Sequence, residues 1–256
     1  MKIRYVLADP NGNITILVHS YVPAADQPRI ASFLMKKEPS AEQVGFLRRS
    51  VNTEISLKMA GGEFCGNAAM SAAVLYCAEK QLREAEVRMK ISGTGETVYT
   101  KVRKENVDWW ACVEMPRPCV LLSPEELPLP MVSFPGITHL IAETPMERRE
   151  AEENLVRWSR TADTAAIGLL FFDRAQRTLK PLVYVPGVQT LIWENACASG
   201  TAAIGAYLAA KENGPIDLSL RQPNGGALFV SAETGKKPRI SGSVKLIRAH
   251  SITIAH

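Results

Sequence analysis

The chain has no hydrophobic run long enough to cross a membrane. No segment approaches the roughly 20 consecutive apolar residues that a transmembrane helix requires. The apolar stretch near the N-terminus extends for about four residues before Asp9 and Pro10, whereas a secretory signal contains about 7–15. We therefore expect a cytoplasmic protein without a membrane partner.

The chain also lacks a concentrated charge of one sign. Its formal net charge is +4, and basic pairs such as Lys36-Lys37 and Arg148-Arg149 are scattered along the sequence. Nucleic-acid binding requires basic residues that cluster on one face or along one helix. The sequence therefore predicts no nucleic-acid partner.

Cysteine and histidine are both scarce. The five cysteines contain no CxxC pair, and the four histidines do not cluster. In a reducing compartment such cysteines are free thiols rather than a disulfide framework. Neither residue type shows the spacing of a zinc site, so we expect no metal.

The composition is otherwise that of a globular protein. Hydrophobic residues make up 46% and charged residues 22% of the 256 positions, which are ordinary values for such proteins. A chain of this length can bury a sizeable core, as one large domain or two smaller ones.

Two segments place a cysteine directly before small residues and an apolar run. They are "GGEFCGNAAMSAAVLY", which contains Cys65, and "ENACASGTAAIGAYL", which contains Cys197. The runs predict helices over about Gly66–Lys80 and Gly200–Asn213. Because both are apolar on all sides, each should be wrapped by its own sheet.

The two cysteines belong to an internal repeat. They lie 132 positions apart (197 minus 65), and each half has strand-like runs before and after its cysteine helix. We therefore predict an α+β fold of two pseudo-symmetric lobes, 1–117 and 118–256, each a mixed or antiparallel sheet around a central apolar helix. The final strand could cross back to the first lobe, and the active site should lie in the cleft.

Two amphipathic helices should lie outside these sheets. Their patterns cover about Pro28–Lys37 and Glu147–Arg160. Asp26 precedes the first of them and is a residue type that favours the N-cap position.

A cysteine at a helix N-terminus has a chemical use that a buried cysteine elsewhere lacks. Unpaired N–H groups and the helix dipole favour an anion there, which lowers the pKa of a thiol and also binds a carboxylate. Cys77, Cys112 and Cys119 lack this position and are interpreted as packing residues. If the two lobes face each other, Cys65 and Cys197 flank one Cα, and a two-base 1,1-proton transfer inverts it without a cofactor.

The motifs "EFCGNA" and "CASGTAA", in this order, resemble the diaminopimelate epimerase and proline racemase superfamily of cofactor-independent two-cysteine racemases. More narrowly, "NGNITILVHS", "EQVGF", "GGEFCGNAAMS" and "PLVYVPGVQTLIWENACASGTAAIG" resemble the histidine racemases of staphylopine-type metallophore biosynthesis. The resemblance implies that L-histidine is converted to D-histidine for an opine-type metallophore.

The resemblance also assigns roles to residues. Cys65 and Cys197 match the two catalytic bases, and no metal or cofactor is implied. The positions that match substrate-binding residues are Asn13, Glu42, Gln43, Gly66, Asn67, His139, Glu194, Ala198, Ser199 and Gly200. From the residues alone, Asn13 would be a turn residue and His139 a structural histidine. Glu194 matches a residue on the amino-group side of the pocket, and Glu42 is our candidate contact for the imidazole.

One departure from the superfamily bears on the substrate. Asn195 stands where diaminopimelate epimerases have the arginine that binds the distal carboxylate, which disfavours diaminopimelate. The alternatives are a racemase or epimerase of another amino acid, including a hydroxyproline- or diaminopimelate-like substrate, a lyase or isomerase of the same fold, and a non-catalytic amino-acid-binding protein. The oligomeric state is open, with a homodimer as one option.

Overall fold

The computed structural model describes residues 1–48, 53–162 and 164–254. Within these ranges the helices are α1 (Gln27–Lys37), α2 (Gly66–Glu79), α3 (Arg148–Trp158) and α4 (Ala198–Glu212). The strands are β1 (Lys2–Pro10), β2 (Thr15–Val18), β3 (Gln43–Arg48), β4 (Ile55–Met59), β5 (Glu84–Ile91), β6 (Thr97–Glu105), β7 (Asp108–Glu114), β8 (Cys119–Leu121), β9 (Met131–Phe134), β10 (Ile137–Ala142), β11 (Ala166–Asp173), β12 (Thr178–Val185), β13 (Thr190–Trp193), β14 (Ile216–Arg221), β15 (Ala227–Ala232) and β16 (Arg239–Thr253). The predicted α+β class is confirmed, with strands far more numerous than helices.

The last strand closes part of the sheet into a ring. The strand order runs β1-β2-β3-β4-β5-β6-β7-β16, and β16 also pairs with β1. Because β16 has 15 residues, residues 239–244 pair with β7 while residues 244–253 pair with β1. Eight strands therefore form a barrel-like structure. The sheet continues from β16 through β15 and β14 to β12 and the strands beyond it.

The two apolar helices lie against different parts of this sheet. α2 packs on β1, β2, β4, β5, β6, β7 and β16, whereas α4 packs on β8–β11, β14, β15 and β16. Most side chains of both helices are buried, which agrees with sequences that have no polar face. One hydrophobic cluster runs through both helices and includes Ala69 and Ile204.

The helix boundaries agree closely with the sequence patterns. α2 ends one residue before the predicted Lys80, and α4 begins two residues before the predicted Gly200, because Cys197 itself is the N-cap. α1 and α3 confirm the two amphipathic helices. Asp26 occupies the N-cap position of α1, but it ends a short 3-10 turn and its side chain makes no capping bond.

All five cysteines are free thiols, as predicted. In the described part of the chain, no helix combines the length and the apolar character needed to cross a membrane.

Candidate active site

The N-termini of α2 and α4 meet each other. A Cβ added at Gly66 would lie 3.0 Å from the Cβ of Ala198 and 3.2 Å from Met115 Sδ. The side chain of Asn67 spans the junction, since its Nδ2 donates a hydrogen bond of 2.9 Å to the carbonyl oxygen of Ala196. The two cysteine motifs, separated by half of the chain, are therefore adjacent in space.

Each cysteine caps its own helix with its sulfur. Cys65 Sγ accepts the N–H of Ala68 at 3.4 Å, and Cys197 Sγ accepts the N–H of Gly200 at 3.2 Å. The two residues have nearly the same backbone angles, φ −135° and ψ 114° against φ −133° and ψ 108°. This shared conformation places both sulfurs at the first turn of a helix.

Both helix ends keep free donors. Within the described residues, the following backbone N–H groups meet no protein acceptor: Gly66, Asn67, Ala198 and Ser199. Helix N-termini with free N–H groups bind carboxylates and phosphates. Two such ends at one junction can bind both oxygens of one carboxylate.

A small pocket, with a cavity volume of about 50 Å³, opens at this junction. Its polar wall contains most of the predicted site residues, namely Glu42, Gln43, Cys65, Asn67, Glu194, Cys197, Ala198 and Ser199. Val183, Val185, Val188 and Ile192 form an apolar wall. Asn13, Gly66, Gly200 and His139 lie behind these walls and contact the lining residues.

Asn13, Glu42 and Gln43 form one hydrogen-bonded group beside Cys65. Gln43 Oε1 accepts the thiol hydrogen of Cys65 at 2.9 Å, and Gln43 Nε2 donates to Asn13 Oδ1. Asn13 Nδ2 donates to one oxygen of Glu42, while the other oxygen accepts the backbone N–H of Asn195 at 3.0 Å and its Nδ2 at 2.6 Å. The group therefore links Cys65 to the loop that precedes Cys197.

A second group supports Cys197 from behind. The backbone N–H of Cys197 donates to Gln222 Oε1 at 3.1 Å. Ser199 Oγ lies 3.5 Å from Cys197 Sγ and 3.0 Å from His139 Nε2. His139 is fully buried, and burial lowers its pKa to about 3, so the imidazole is neutral at physiological pH. It contacts Ser199, which lines the pocket, and does not line the pocket itself.

The pocket is acidic. Three carboxylates line it, Glu42, Glu63 and Glu194, and among the residues described no lysine or arginine does so. Burial raises the pKa of Glu63 to about 7. Burial, with the nearby charge of Glu42, raises the pKa of Glu194 to about 8. A nearby positive charge would lower these pKa values and favour the ionised carboxylates, so the pocket suits a bound molecule that carries positive charge.

The pKa values of the two thiols differ from the sequence-based expectation. Burial raises the pKa of Cys65 and of Cys197 above the ordinary thiol value, and the charge of Glu194 raises both further. The expected lowering by the helix N-termini is wrong, because the N–H contacts of Ala68 and Gly200 do not offset the loss of water. A positive charge beside the sulfurs would favour the thiolates.

Comparison with known proteins agrees with this geometry. The family model described as the histidine racemase CntK N-terminal domain matches residues 2–250. The chain is 35% identical over 241 residues to a histidine racemase of Fusobacterium nucleatum subsp. nucleatum, with 89% of each chain covered. It is 32% identical to a histidine racemase of Staphylococcus aureus, covering 96% of this chain and 95% of the relative. The chain belongs to the histidine racemase family.

The fold is shared more widely than the sequence. A solved structure of a predicted epimerase from Pseudomonas aeruginosa superposes on this family member with a TM-score of 0.75 at 16% identity, covering 99% of this chain and all of the other. At that identity the likeness concerns the fold. It supports an epimerase-type arrangement of strands and helices for the chain.

Three residues of the site were missed by sequence reasoning or given no role there. Asn195 was noted only as a replacement, yet it binds Glu42. Gln222 holds the backbone of Cys197, and nothing in "RQPNGG" indicates this contact. Glu63 is buried in the pocket wall, and an acidic residue among the small and apolar residues of "GGEFCGN" was a signal for it.

Proposed function

We propose that the protein interconverts L- and D-histidine by moving the α-proton between Cys65 and Cys197, without a cofactor. The observation that carries the proposal is the meeting of two cysteine-capped helix N-termini in one enclosed pocket. Membership of the histidine racemase family supports the substrate. D-histidine would then supply an opine-type metallophore pathway, as the sequence resemblance implies.

The α-carboxylate of histidine binds the free N–H groups at the two helix ends, from Gly66, Asn67, Ala198 and Ser199. Removal of the α-proton moves negative charge onto this carboxylate. The N–H groups are already directed at it, so they stabilise the transition state more than the bound substrate. The Cα then lies between the two sulfurs.

One sulfur, as thiolate, takes the α-proton, while the other, as thiol, donates a proton to the opposite face. The substrate's ammonium group supplies the positive charge that the pocket lacks, and Glu194 binds it. Gln43 orients Cys65, and Ser199 with neutral His139 orients Cys197. Glu42 holds the Asn195 loop against Asn13.

For the whole chain, we propose two lobes, residues 1–117 and 118–256, each with a sheet around its own apolar helix. The packing of α2 and α4 on different strands, apart from β16, which both contact, supports this division. The pairing of β16 with both β1 and β7 supports a final strand that crosses back to the first lobe.

Incubation with each of the twenty L-amino acids, without added pyridoxal phosphate, metal or nucleotide, tests the substrate and the reaction together. Chiral analysis should show a racemic product from histidine and much slower turnover of the others. Faster inversion of another amino acid would reassign the substrate. If histidine binds but keeps its configuration and its α-proton, the protein is a binding protein and the racemase proposal fails.

A further inference from the structure

Glu63 is a buried carboxylate in the pocket wall that the proposed proton transfer does not use. Its side chain is buried, with 8% of the residue exposed, and it lines the pocket. Glu63 Oε2 lies beside Gly61, where an added Cβ would come within 2.7 Å of it, and this oxygen meets no hydrogen-bond partner of good geometry within the described ranges. The backbone N–H groups of Gly61 and of Glu63 itself lie near the carboxyl and lower its pKa against the larger effect of burial. A buried carboxylate oxygen without a hydrogen-bond partner destabilises the folded state unless a ligand donates a hydrogen bond to it.

The other two carboxylates of the pocket, Glu42 and Glu194, are placed differently. Both oxygens of Glu42 already accept hydrogen bonds, from Asn195 and Asn13. Glu194 Oε2 also meets no hydrogen-bond partner within the described ranges. Glu194 is, however, three residues from Cys197, and its charge acts on both thiols, which suits a contact with the α-ammonium group beside the reacting carbon. Glu63 is therefore the acceptor left for the substrate side chain.

The surroundings of Glu63 suit a flat ring that has a polar edge. Gly61 packs closely on Val185, since a Cβ there would lie 2.3 Å from Val185 Cγ1. Val185 and Val188 form the apolar wall on this side of the pocket. A ring that stacks on these valines can direct an N–H at Glu63.

We propose that Glu63 accepts the imidazole N–H of histidine and so determines which side chain the enzyme selects. This inference rests on the proposed histidine racemase function. It moves the side-chain contact from Glu42, our sequence-based candidate, to Glu63. Glu63 binds the substrate but takes no part in the proton transfer.

The test compares histidine with β-(2-thienyl)alanine, whose five-membered aromatic ring has nearly the same shape but no N–H. Exchange of the α-proton in D₂O is measured for both with the wild type, Glu63→Gln, and Glu125→Gln, a control at an exposed position. In Glu63→Gln, kcat/KM for histidine should fall about 10- to 100-fold, mainly through KM, because a charged hydrogen bond to a non-reacting group is lost. Exchange of thienylalanine should change little, so the selectivity falls.

Equal losses for histidine and thienylalanine, or no loss for either, would overturn the assignment of Glu63 while leaving the racemase function intact. A wild type that does not exchange the α-proton of histidine would overturn both. If Glu63→Gln fails to fold, Glu63→Asp takes its place in the comparison, and a wild type that does not prefer histidine to thienylalanine by at least about 10-fold overturns the assignment. Glu63→Asp, which keeps the charge, should recover part of the selectivity.

Discussion

Glu63 shows how burial changes the protonation of a single residue in this pocket and makes stability depend on pH. Its pKa of about 7 in the folded protein exceeds the ordinary glutamate value of 4.5 because the carboxyl is buried. The folded state therefore holds the proton more tightly than the unfolded state. Stability from this group is full below pH 4.5 and is lost as the pH rises through about 7.

Glu63→Gln removes this pH dependence and keeps the shape of the side chain. Between pH 5.5 and 8.5 the wild type should lose about 2 kcal/mol of unfolding free energy relative to the variant, at about 1.4 kcal/mol per pKa unit. Urea unfolding at both pH values measures the difference, with Glu125→Gln as the control. A difference that does not change with pH would mean that Glu63 is ionised throughout this range.

Burial also affects the protonation of the two cysteines. Cys197 is buried and Cys65 partly buried, and the loss of water raises the pKa of each thiol. In the proposed mechanism they become useful bases when a substrate brings an ammonium group into a pocket lined by carboxylates. The raised pKa values also protect the free thiols, since a thiol reacts with oxidants mainly as the thiolate.

At the scale of elements, the close approach of α2 and α4 brings the two cysteine-capped helix ends together. Gly66 is the contact point, because its hydrogen faces Ala198 and Met115 where a methyl group would be within 3.2 Å of both. The absence of a side chain at Gly66 lets the two helix ends meet.

Gly66→Ala should therefore impair activity more than stability. Alanine favours a helix by up to about 1 kcal/mol over glycine, which offsets part of the overpacking cost of roughly 1–3 kcal/mol. A small displacement of one helix end misplaces the backbone N–H groups that bind the substrate carboxylate. We therefore expect kcat to fall about 10- to 100-fold. Racemisation assays and thermal unfolding measure the two effects.

Gly95→Ala is the matched control, because an added Cβ there meets nothing within 4 Å. It should leave kcat unchanged. Wild-type kcat in Gly66→Ala would show that the two helix ends need not approach so closely.

The sequence was sufficient to predict the two cysteine-capped helices, but it did not predict which distant residues contact them. Cys65 and Cys197 could be found because a cysteine, small residues and an apolar run are local signals of a capped, buried helix. The contacts of Gln222 with Cys197 and of Asn195 with Glu42 join positions 25 and 153 residues apart. The sign of the thiol pKa shift was mispredicted because burial is a property of the folded molecule.

At the scale of the whole molecule, the chain brings two distant segments to one pocket and closes part of its sheet with β16. The pairing of β1 with β16 joins the two ends of the described chain. Hairpin patterns predict neighbouring strands, but they do not indicate that the last strand returns to the first. From the sequence, a final strand that crosses back to the first lobe was one option, and the pairing of β16 with β1 is seen only in the tertiary structure.

The central claim is that one α-carbon lies between two thiols, each of which serves one face. The most direct test measures racemisation, and α-proton exchange from L- and D-histidine in D₂O, for the wild type, Cys65→Ser, Cys197→Ser and the exposed control Cys119→Ser. Each active-site variant should lose racemisation by roughly 10²–10⁴-fold, and the exchange that remains should favour opposite enantiomers in the two variants. The control should match the wild type. Near wild-type racemisation by Cys65→Ser or by Cys197→Ser would contradict the account.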